Sequence, residues 1–276
     1  MPKVDNSSVK QLEKTAQEVR KNIVKILTQA GSGHTAGSLG LADIFTAFYF
    51  NLLNHRPRQP GWKDRDRLIL SNGHVCPARY AAMAEAGYFS KDKLLTLRQL
   101  GSPLQGHPEI DRLPGVETTS GPLGEGTSEA VGLACAAKMD KVKWRVYCIL
   151  SDGELQEGQT WEAFMFAAKY KLDNCLFILD RNHIQISGDT EKVMPLEPLT
   201  DKFKAFNLHV EECDGNNIEN FVLTVKRCQK IKNRSSIIIA NTIPGKGVNF
   251  MENQYEWHGK TPNPEEMTLA LKELKK

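Results

Sequence analysis

The chain lacks several features that mark particular classes of protein. Its 36 basic and 33 acidic residues leave a net charge of only +3, and no basic stretch is interleaved with aromatic residues, so we expect no nucleic-acid partner. The most apolar stretch, Leu39 to Leu53, is interrupted by Asp43 and is too short to span a bilayer, so we expect no membrane segment. The polar N-terminal stretch lacks the apolar core of a signal peptide, which favours a cytoplasmic protein.

Motifs based on cysteine and on common hydrolases are also missing. The six cysteines form no Cys-x-x-Cys pair, which disfavours a zinc site or a disulfide framework and favours a reducing compartment. There is no His-Glu-x-x-His and no Gly-x-Ser-x-Gly sequence, so the common metalloprotease and esterase motifs are excluded. With 276 residues, 40% of them apolar, the chain can form one large α/β domain or two small ones.

Short apolar runs that end in polar residues alternate with helical segments. We predict buried strands at Arg67–Leu70, Val146–Leu150, Leu176–Leu179 and Ile237–Ala240. Helical periodicity predicts helices from about Asn6–Ser8 to Ala30, and at Ala42–Leu53, Glu129–Lys138, Thr160–Lys171 and Ile218–Ile231. This alternation predicts an α/β fold with a doubly wound, mainly parallel sheet and helices on both faces. Such sheets bind ligands beyond the carboxyl ends of their strands.

Four of the seven histidines have a glycine neighbour, where about one is expected by chance for 21 glycines in 276 residues. They are His34, His74, His107 and His258. Glycine lets the backbone approach a ligand closely, and imidazole exchanges a proton near neutral pH. Each histidine alone is more often a loop or surface residue, but the four together favour a site. His55, His183 and His209 lack this context and are interpreted as structural.

Asp152 and Asn182 each follow a predicted strand end, 30 residues apart. One strand–helix–strand step fits that interval, so the two could be adjacent in space. Carboxylate and amide oxygens suit Mg²⁺ or Ca²⁺. The alternative is that Asp152 caps a helix and Asn182 forms a turn.

A glycine-rich turn, Gly121–Gly126, precedes a helix rich in alanine and glycine. Such a turn can hold a phosphate or lie against a cofactor. It is not the Gly-x-Gly-x-x-Gly fingerprint of dinucleotide-binding proteins, and alone it is a weak signal.

In order and context, seven motifs resemble those of the N-terminal, diphosphate-binding half of transketolases. They are Ser32–His34, Leu70–His74, Gln105–Glu109, Gly121–Gly126, Ser151–Gly158, Asp180–Asn182 and Trp257–Lys260. One departure is Ser151, where many relatives have glycine. The resemblance covers nearly the whole chain and implies the thiamin diphosphate-binding fold, with residues 1–276 as a single diphosphate-binding domain.

The resemblance also implies thiamin diphosphate and a divalent cation, Mg²⁺ or Ca²⁺. It assigns Asp152, Asn182 and the Ile184 carbonyl to the metal. It assigns to cofactor binding His74, Gly121, Pro122, Leu123, Gly153, Glu154, Asn182 and His258. The imidazoles assigned to the reacting carbon and substrate hydroxyls are those of His34, His107 and His258. Glu157 matches an acidic position near the family's subunit interface.

In the family, the glutamate that protonates the aminopyrimidine, its aromatic pocket and the basic residues for the sugar phosphate lie in the following domain. We find no counterpart after Lys260, and therefore expect the chain to be inactive alone. The leading hypothesis is the N-terminal subunit of a split transketolase, working with a pyrimidine-domain subunit in an α₂β₂ assembly on sugar phosphates. The alternatives are a relative with another donor or acceptor, such as a dihydroxyacetone synthase, and a non-catalytic cofactor- or partner-binding protein.

Overall fold

A five-stranded parallel sheet organises the computed structural model, which describes residues 6–275. The strands of that range are β1 (Arg67–Leu70), β2 (Val146–Ser151), β3 (Cys175–Arg181), β4 (Ile184–Gln185), β5 (Gly188–Asp189), β6 (His209–Asp214) and β7 (Ser236–Asn241). The sheet order is β1-β2-β3-β7-β6, and every neighbouring pair is parallel. Strands β4 and β5 form a separate two-stranded antiparallel hairpin directly after β3.

The α-helices pack against the two faces of the sheet. They are α1 (Asn6–Ala30), α2 (Ala36–Gly40), α3 (Ala42–Ala47), α4 (Cys76–Glu85), α5 (Glu125–Met139), α6 (Gly158–Lys169), α7 (Thr190–Val193), α8 (Leu199–Ala205), α9 (Ile218–Cys228) and α10 (Pro264–Glu273). None of the helices in residues 6–275 combines the length and apolarity needed to cross a membrane.

Two hydrophobic cores lie on opposite faces of the sheet, because successive side chains of a strand point to opposite sides. On β2, Ile149 belongs to the core beneath α1, α3, α4 and α9, whereas Cys148 and Leu150 belong to the core beneath α5, α6 and α8. Both faces of the strand are buried, which explains its continuous apolar sequence. The predicted mainly parallel sheet with helices on both faces is therefore confirmed.

The four predicted strands, the first helix and the predicted helix Thr160–Lys171 are present with shifts of at most two residues. The predicted helices Glu129–Lys138 and Ile218–Ile231 are present as Glu125–Met139 and Ile218–Cys228, and two further segments differ from prediction. The predicted helix Ala42–Leu53 ends as an α-helix at Ala47 and continues as a π-helical turn, in which the Leu53 amide donates to the Phe48 carbonyl. Strand β6 was not predicted, because four of its six residues are polar and it lies at an edge of the sheet. An edge strand buries less of its surface and carries a weaker apolar signal.

Candidate active site

A cavity of about 500 Å³ lies at the carboxyl ends of β1, β2 and β3. Its lining residues come from the loops after these strands and from three more distant segments, and are His34, His74, His107, Gly121, Leu123, Ser151, Gly153, Gln156, Glu157, Asn182, Ile184, Gln185, Ile186 and His258. The four glycine-flanked histidines thus meet in one cavity. A wider depression of about 760 Å³ beside α6 and α8 has no histidine or acidic side chain in its lining.

Three of these imidazoles pack directly against one another. The ring centroids are 4.8 Å apart for His34 and His74, 5.5 Å for His34 and His258, and 5.2 Å for His74 and His258. We call these three residues the histidine cluster. His107 stands apart at the exposed rim of the cavity, where its ring faces Gly121; a Cβ added at that glycine would lie 3.8 Å from His107 Cγ.

Burial keeps the imidazoles of this cavity neutral near pH 7. Burial is the largest of the causes that lower the pKa of His34 to about 4, and His258, the Arg98 guanidinium and His107 also contribute. Burial also lowers the pKa of His74, His107 and His258 below its usual value. A neutral imidazole can both donate and accept a hydrogen bond, so these rings can bind a hydroxyl and exchange its proton.

Asp152 is fully buried at the turn after β2. Its Oδ2 accepts hydrogen bonds from the backbone N–H of His183 at 2.8 Å and from Arg181 Nη1 at 2.9 Å. Its Oδ1 is buried and has no partner among the described residues. The side chain of Asp152 makes no helix-capping hydrogen bond, so the alternative interpretation as a helix cap is wrong.

Asn182 lies beside this carboxylate, as its spacing from Asp152 predicts. Its Nδ2 donates to Asp180 Oδ2 at 2.8 Å, and its Oδ1 accepts from the Ile184 backbone N–H at 3.0 Å. The hydrogen bond from the Ile184 N–H closes a turn, which is the alternative role that the sequence predicted for Asn182. This bond also fixes the direction of the amide oxygen. Burial and the nearby Asp152 raise the pKa of Asp180 to about 7, opposed by a hydrogen bond from Thr242.

The oxygens of this turn fit a hard divalent cation. A buried carboxylate oxygen without a partner costs free energy unless a cation or a donor meets it. We call Asp152, Asp180, Asn182 and Ile184 the oxygen-rich end of the cavity; Asn182 and Ile184 line the cavity, and Asp152 and Asp180 are buried beside them. Carboxylate, amide and backbone carbonyl oxygens are the donors that Mg²⁺ and Ca²⁺ select.

The glycine-rich turn forms another wall. Gly121 and Leu123 line the cavity, whereas Pro122 is exposed and is not among the lining residues. Gly124 adopts a left-handed conformation with φ of 86° and precedes α5. The sequence predicts the start of that helix four residues too late, at Glu129 instead of Glu125.

Glu154 lies behind this turn rather than in the cavity, although the family resemblance groups it with the cofactor-binding residues. Its Oε1 accepts from Ser71 Oγ at 2.5 Å and from the Gly124 N–H at 2.7 Å, and its Oε2 accepts from the Ser151 N–H at 2.8 Å. The carboxylate therefore joins the ends of β1 and β2 to the glycine-rich turn.

Comparison with known proteins identifies the family. Residues 12–274 match the profile described as "Transketolase, thiamine diphosphate binding domain". The chain is 42% identical to the 6-deoxy-6-sulfo-D-fructose transketolase subunit of Clostridium sp. (strain MSTE9), covering 96% of both chains. It is also 42% identical to an apulose-4-phosphate transketolase subunit of Actinobacillus succinogenes, covering 98% of both. The chain belongs to the transketolase family.

Among solved structures, the transketolase of Leishmania mexicana superposes with a TM-score of 0.90 at 30% identity. The match covers 96% of this chain and 41% of that one. This chain therefore has the thiamin diphosphate-binding fold of transketolases and spans about two fifths of the solved enzyme.

Two arginines of this transketolase domain were not predicted as site residues. Arg98 has a positive φ of 63°, and its Nε is buried without a partner among the described residues. A Cβ at Gly106 would lie 2.7 Å from Arg98 Cζ, so this glycine makes room for the guanidinium rather than for a ligand. Arg181 belongs to the motif Asp180–Asn182, but the family resemblance assigns it no role, although its guanidinium donates a hydrogen bond to Asp152. Contacts between distant segments leave no local sequence signal.

Proposed function

We propose that this chain is the N-terminal subunit of a split transketolase. With thiamin diphosphate and Mg²⁺ or Ca²⁺, it would transfer a two-carbon ketol unit from a ketose phosphate to an aldose phosphate. The observation that carries the proposal is the meeting of four neutral histidines in a single cavity, next to the turn that holds the buried Asp152 carboxylate, whose Oδ1 has no partner among the described residues. The two relatives named above act on different sugars, so they support the reaction class and leave the donor and acceptor open.

The oxygen-rich end would hold the cation through Asp152, Asn182 and the Ile184 carbonyl. Asp152 Oδ1 supports this assignment because it is buried and lacks a partner among the described residues. His74, Gly153 and His258 line the same cavity and would contact the diphosphate, while Gly121 and Leu123 would lie along the rings of the cofactor. When bound, thiamin diphosphate supplies a thiazolium that stabilises a carbanion, and the cation neutralises its diphosphate.

The histidines would act on the substrate. His34 and His258 would donate hydrogen bonds to substrate hydroxyls and return protons to alkoxides as carbon–carbon bonds break and form. His107 would meet the substrate near the cavity mouth, because it lies at the exposed rim. Retention of imidazoles beyond those that diphosphate binding requires favours catalysis over a purely cofactor-holding protein.

A partner chain would complete the site. Glu157 and Gln156 are exposed and line the cavity, and helix α6 next to them exposes Met165 and Phe166. These residues support a protein interface beside the cavity, and we propose a pyrimidine-domain chain there, within an α₂β₂ assembly. Residues 1–276 would form one diphosphate-binding domain. The six free cysteines fit a reducing compartment, and we propose a cytoplasmic location.

Reconstitution tests this function. We expect the purified chain to show no ketol transfer alone, and to gain activity when mixed with a separately purified pyrimidine-domain chain of a transketolase, thiamin diphosphate and Mg²⁺. The coding sequence next to that of this chain is the first source for such a partner. Full activity of the chain alone would contradict the split enzyme, and a complete absence of ketol transfer with every candidate partner would contradict the enzyme assignment.

A further inference from the structure

Arg181 is a buried cation at the end of β3, with a side chain that is only 2% exposed. A buried guanidinium is stable only when it is paired and hydrogen-bonded. Its Nη1 donates to Asp152 Oδ2 at 2.9 Å and to Thr190 Oγ1 at 3.0 Å, and its Nη2 donates to Glu191 Oε1 at 2.7 Å and to Glu197 Oε1 at 3.0 Å. Arg181 thus joins the turn after β2 to the segment after β5.

On the side of the cavity, Arg181 fixes one half of the Asp152 carboxylate. It shares Asp152 Oδ2 with the His183 N–H, so that oxygen is fully engaged. The other oxygen, Oδ1, remains buried without a partner among the described residues. The guanidinium therefore sets the rotation of the carboxylate and determines which oxygen a cation would meet. Groups that hold a metal ligand in this way commonly change metal affinity 10- to 100-fold when they are lost.

On the other side, the guanidinium organises the segment 190–199. The Glu191 carboxylate accepts from the Leu196 N–H, and Glu197 Oε2 accepts from the Leu199 N–H at 2.8 Å. Both glutamates bind the same nitrogen, Arg181 Nη2. The hairpin β4–β5, which contains the predicted metal ligand Ile184, lies in the stretch of chain between Arg181 and Thr190. Fixing both ends of this stretch limits how far the hairpin can move.

Among the described residues, the ion pairs of Arg181 contain more negative than positive charge. One guanidinium faces three carboxylates, those of Asp152, Glu191 and Glu197. A divalent cation at Asp152 Oδ1 would offset the remaining negative charge, so cation and guanidinium would stabilise the same arrangement. We propose that Arg181 is a positioning residue that couples cation binding at Asp152 to the ordering of residues 184–197. This inference rests on the cation site of the proposed function.

Amide hydrogen exchange on the full chain tests whether Arg181 orders residues 184–197, without any assay of activity. In Arg181→Lys, one ammonium group cannot reach all three carboxylates, so we expect the amides of residues 184–197 to exchange at least about tenfold faster. The amides of β2 and β7 should keep their protection, which separates local loosening from misfolding. Arg227→Lys, which changes an exposed arginine paired with Glu211, is the matched control. Unchanged exchange in residues 184–197 would overturn the proposal.

Cation binding provides the second arm. We would titrate Mn²⁺ into the full chain with thiamin diphosphate and follow free Mn²⁺ by electron paramagnetic resonance. We expect Arg181→Lys to weaken Mn²⁺ binding about 10- to 100-fold. The double variant Glu191→Gln with Glu197→Gln leaves the Asp152 contact in place, and coupling predicts at least about threefold weaker binding.

The outcomes separate this inference from the function on which it rests. Wild-type affinity for Mn²⁺ in the Arg181 variant or in the double glutamine variant would overturn the coupling and leave the cation site intact. Failure of the wild-type chain to bind Mn²⁺ with thiamin diphosphate would overturn the cation site itself, and the coupling with it.

Discussion

The oxygen-rich end of the cavity is held by directed hydrogen bonds, whereas the histidine cluster is held by ring packing. Asp152 Oδ2 and both polar atoms of the Asn182 side chain have partners at 2.8–3.0 Å. In the cluster, rings pack at centroid distances of 4.8–5.5 Å, and His34 Nδ1 is buried without a partner among the described residues. Short directed bonds fix atom positions closely, whereas ring contacts constrain mainly distance and volume.

This contrast suggests a division of roles. A diphosphate–cation pair has fixed geometry, so its site benefits from being formed in advance. Imidazoles that exchange protons with a substrate need free nitrogen atoms, and a cluster saturated by internal hydrogen bonds could not supply them.

The largest effect is expected at the oxygen-rich end. Asp152→Ala removes the only carboxylate assigned to the cation, and we expect metal-dependent binding of thiamin diphosphate to be abolished. Calorimetric titration with Mg²⁺ and the partner present measures this. Asp201→Ala, an exposed change on α8, is the control. Undiminished cofactor affinity in Asp152→Ala would remove the metal assignment.

The next effect is expected in the histidine cluster. His34→Ala should leave cofactor affinity nearly unchanged and lower turnover by ~10²–10⁴, the usual contribution of a positioned proton donor or acceptor. Steady-state kinetics of the assembled enzyme measure the loss, with His209→Ala on the edge strand as the control. A decrease of less than about threefold would leave His34 with a packing role only.

Residues behind the cavity wall should have smaller effects. Glu154→Gln replaces a carboxylate oxygen by an N–H₂ group, which then opposes one of the backbone donors at Gly124 or Ser151. Because the glycine-rich turn loses part of its support, we expect the KM for thiamin diphosphate to rise about tenfold, with a smaller change in kcat. Glu13→Gln, an exposed change on α1, is the comparison. A fall in kcat that exceeds the rise in KM would instead indicate that Glu154 contacts the reacting groups.

The sequence predicts those parts of the site that depend on local patterns. Asp152 and Asn182 could be placed together because each follows a buried strand, and parallel strands present their carboxyl ends at one edge. The glycine neighbours singled out the histidines that meet in the cavity. Arg98, Arg181 and the role of Glu154 could not be predicted, because their partners are distant in sequence or depend on loop conformation. Strand β6 could not be predicted either, because a strand at the edge of the sheet buries less of its surface and so carries a weaker apolar signal.

The smallest effect is expected in the response of stability to pH. The lowered pKa of His34, His74, His107 and His258 means that these four groups bind fewer protons in the folded chain than in the unfolded chain below about pH 6.5, whereas the raised pKa of Asp180 acts in the opposite direction. The contribution of these histidines to the free energy of unfolding should therefore be largest above pH 6.5 and fall as the pH drops towards 4, the pKa of His34. Urea unfolding between about pH 7.5 and about pH 4.5 measures the change of the total free energy with pH, and comparison with a histidine variant isolates the contribution of one ring.

Between these pH values His34→Asn should lose less free energy of unfolding than the wild type, because that variant lacks one group that takes up a proton on unfolding. Gln11→Ala, an exposed change on α1 that involves no titratable group, should keep the wild-type slope. The comparison uses the change with pH rather than the absolute stability, so a uniform loss of packing in either variant does not affect it. Parallel slopes for the wild type and His34→Asn would show that the histidine cluster is solvated enough to be protonated in the folded chain. Ring packing would then not keep the substrate-facing imidazoles neutral, and the contrast between the two ends of the cavity would lose its chemical basis.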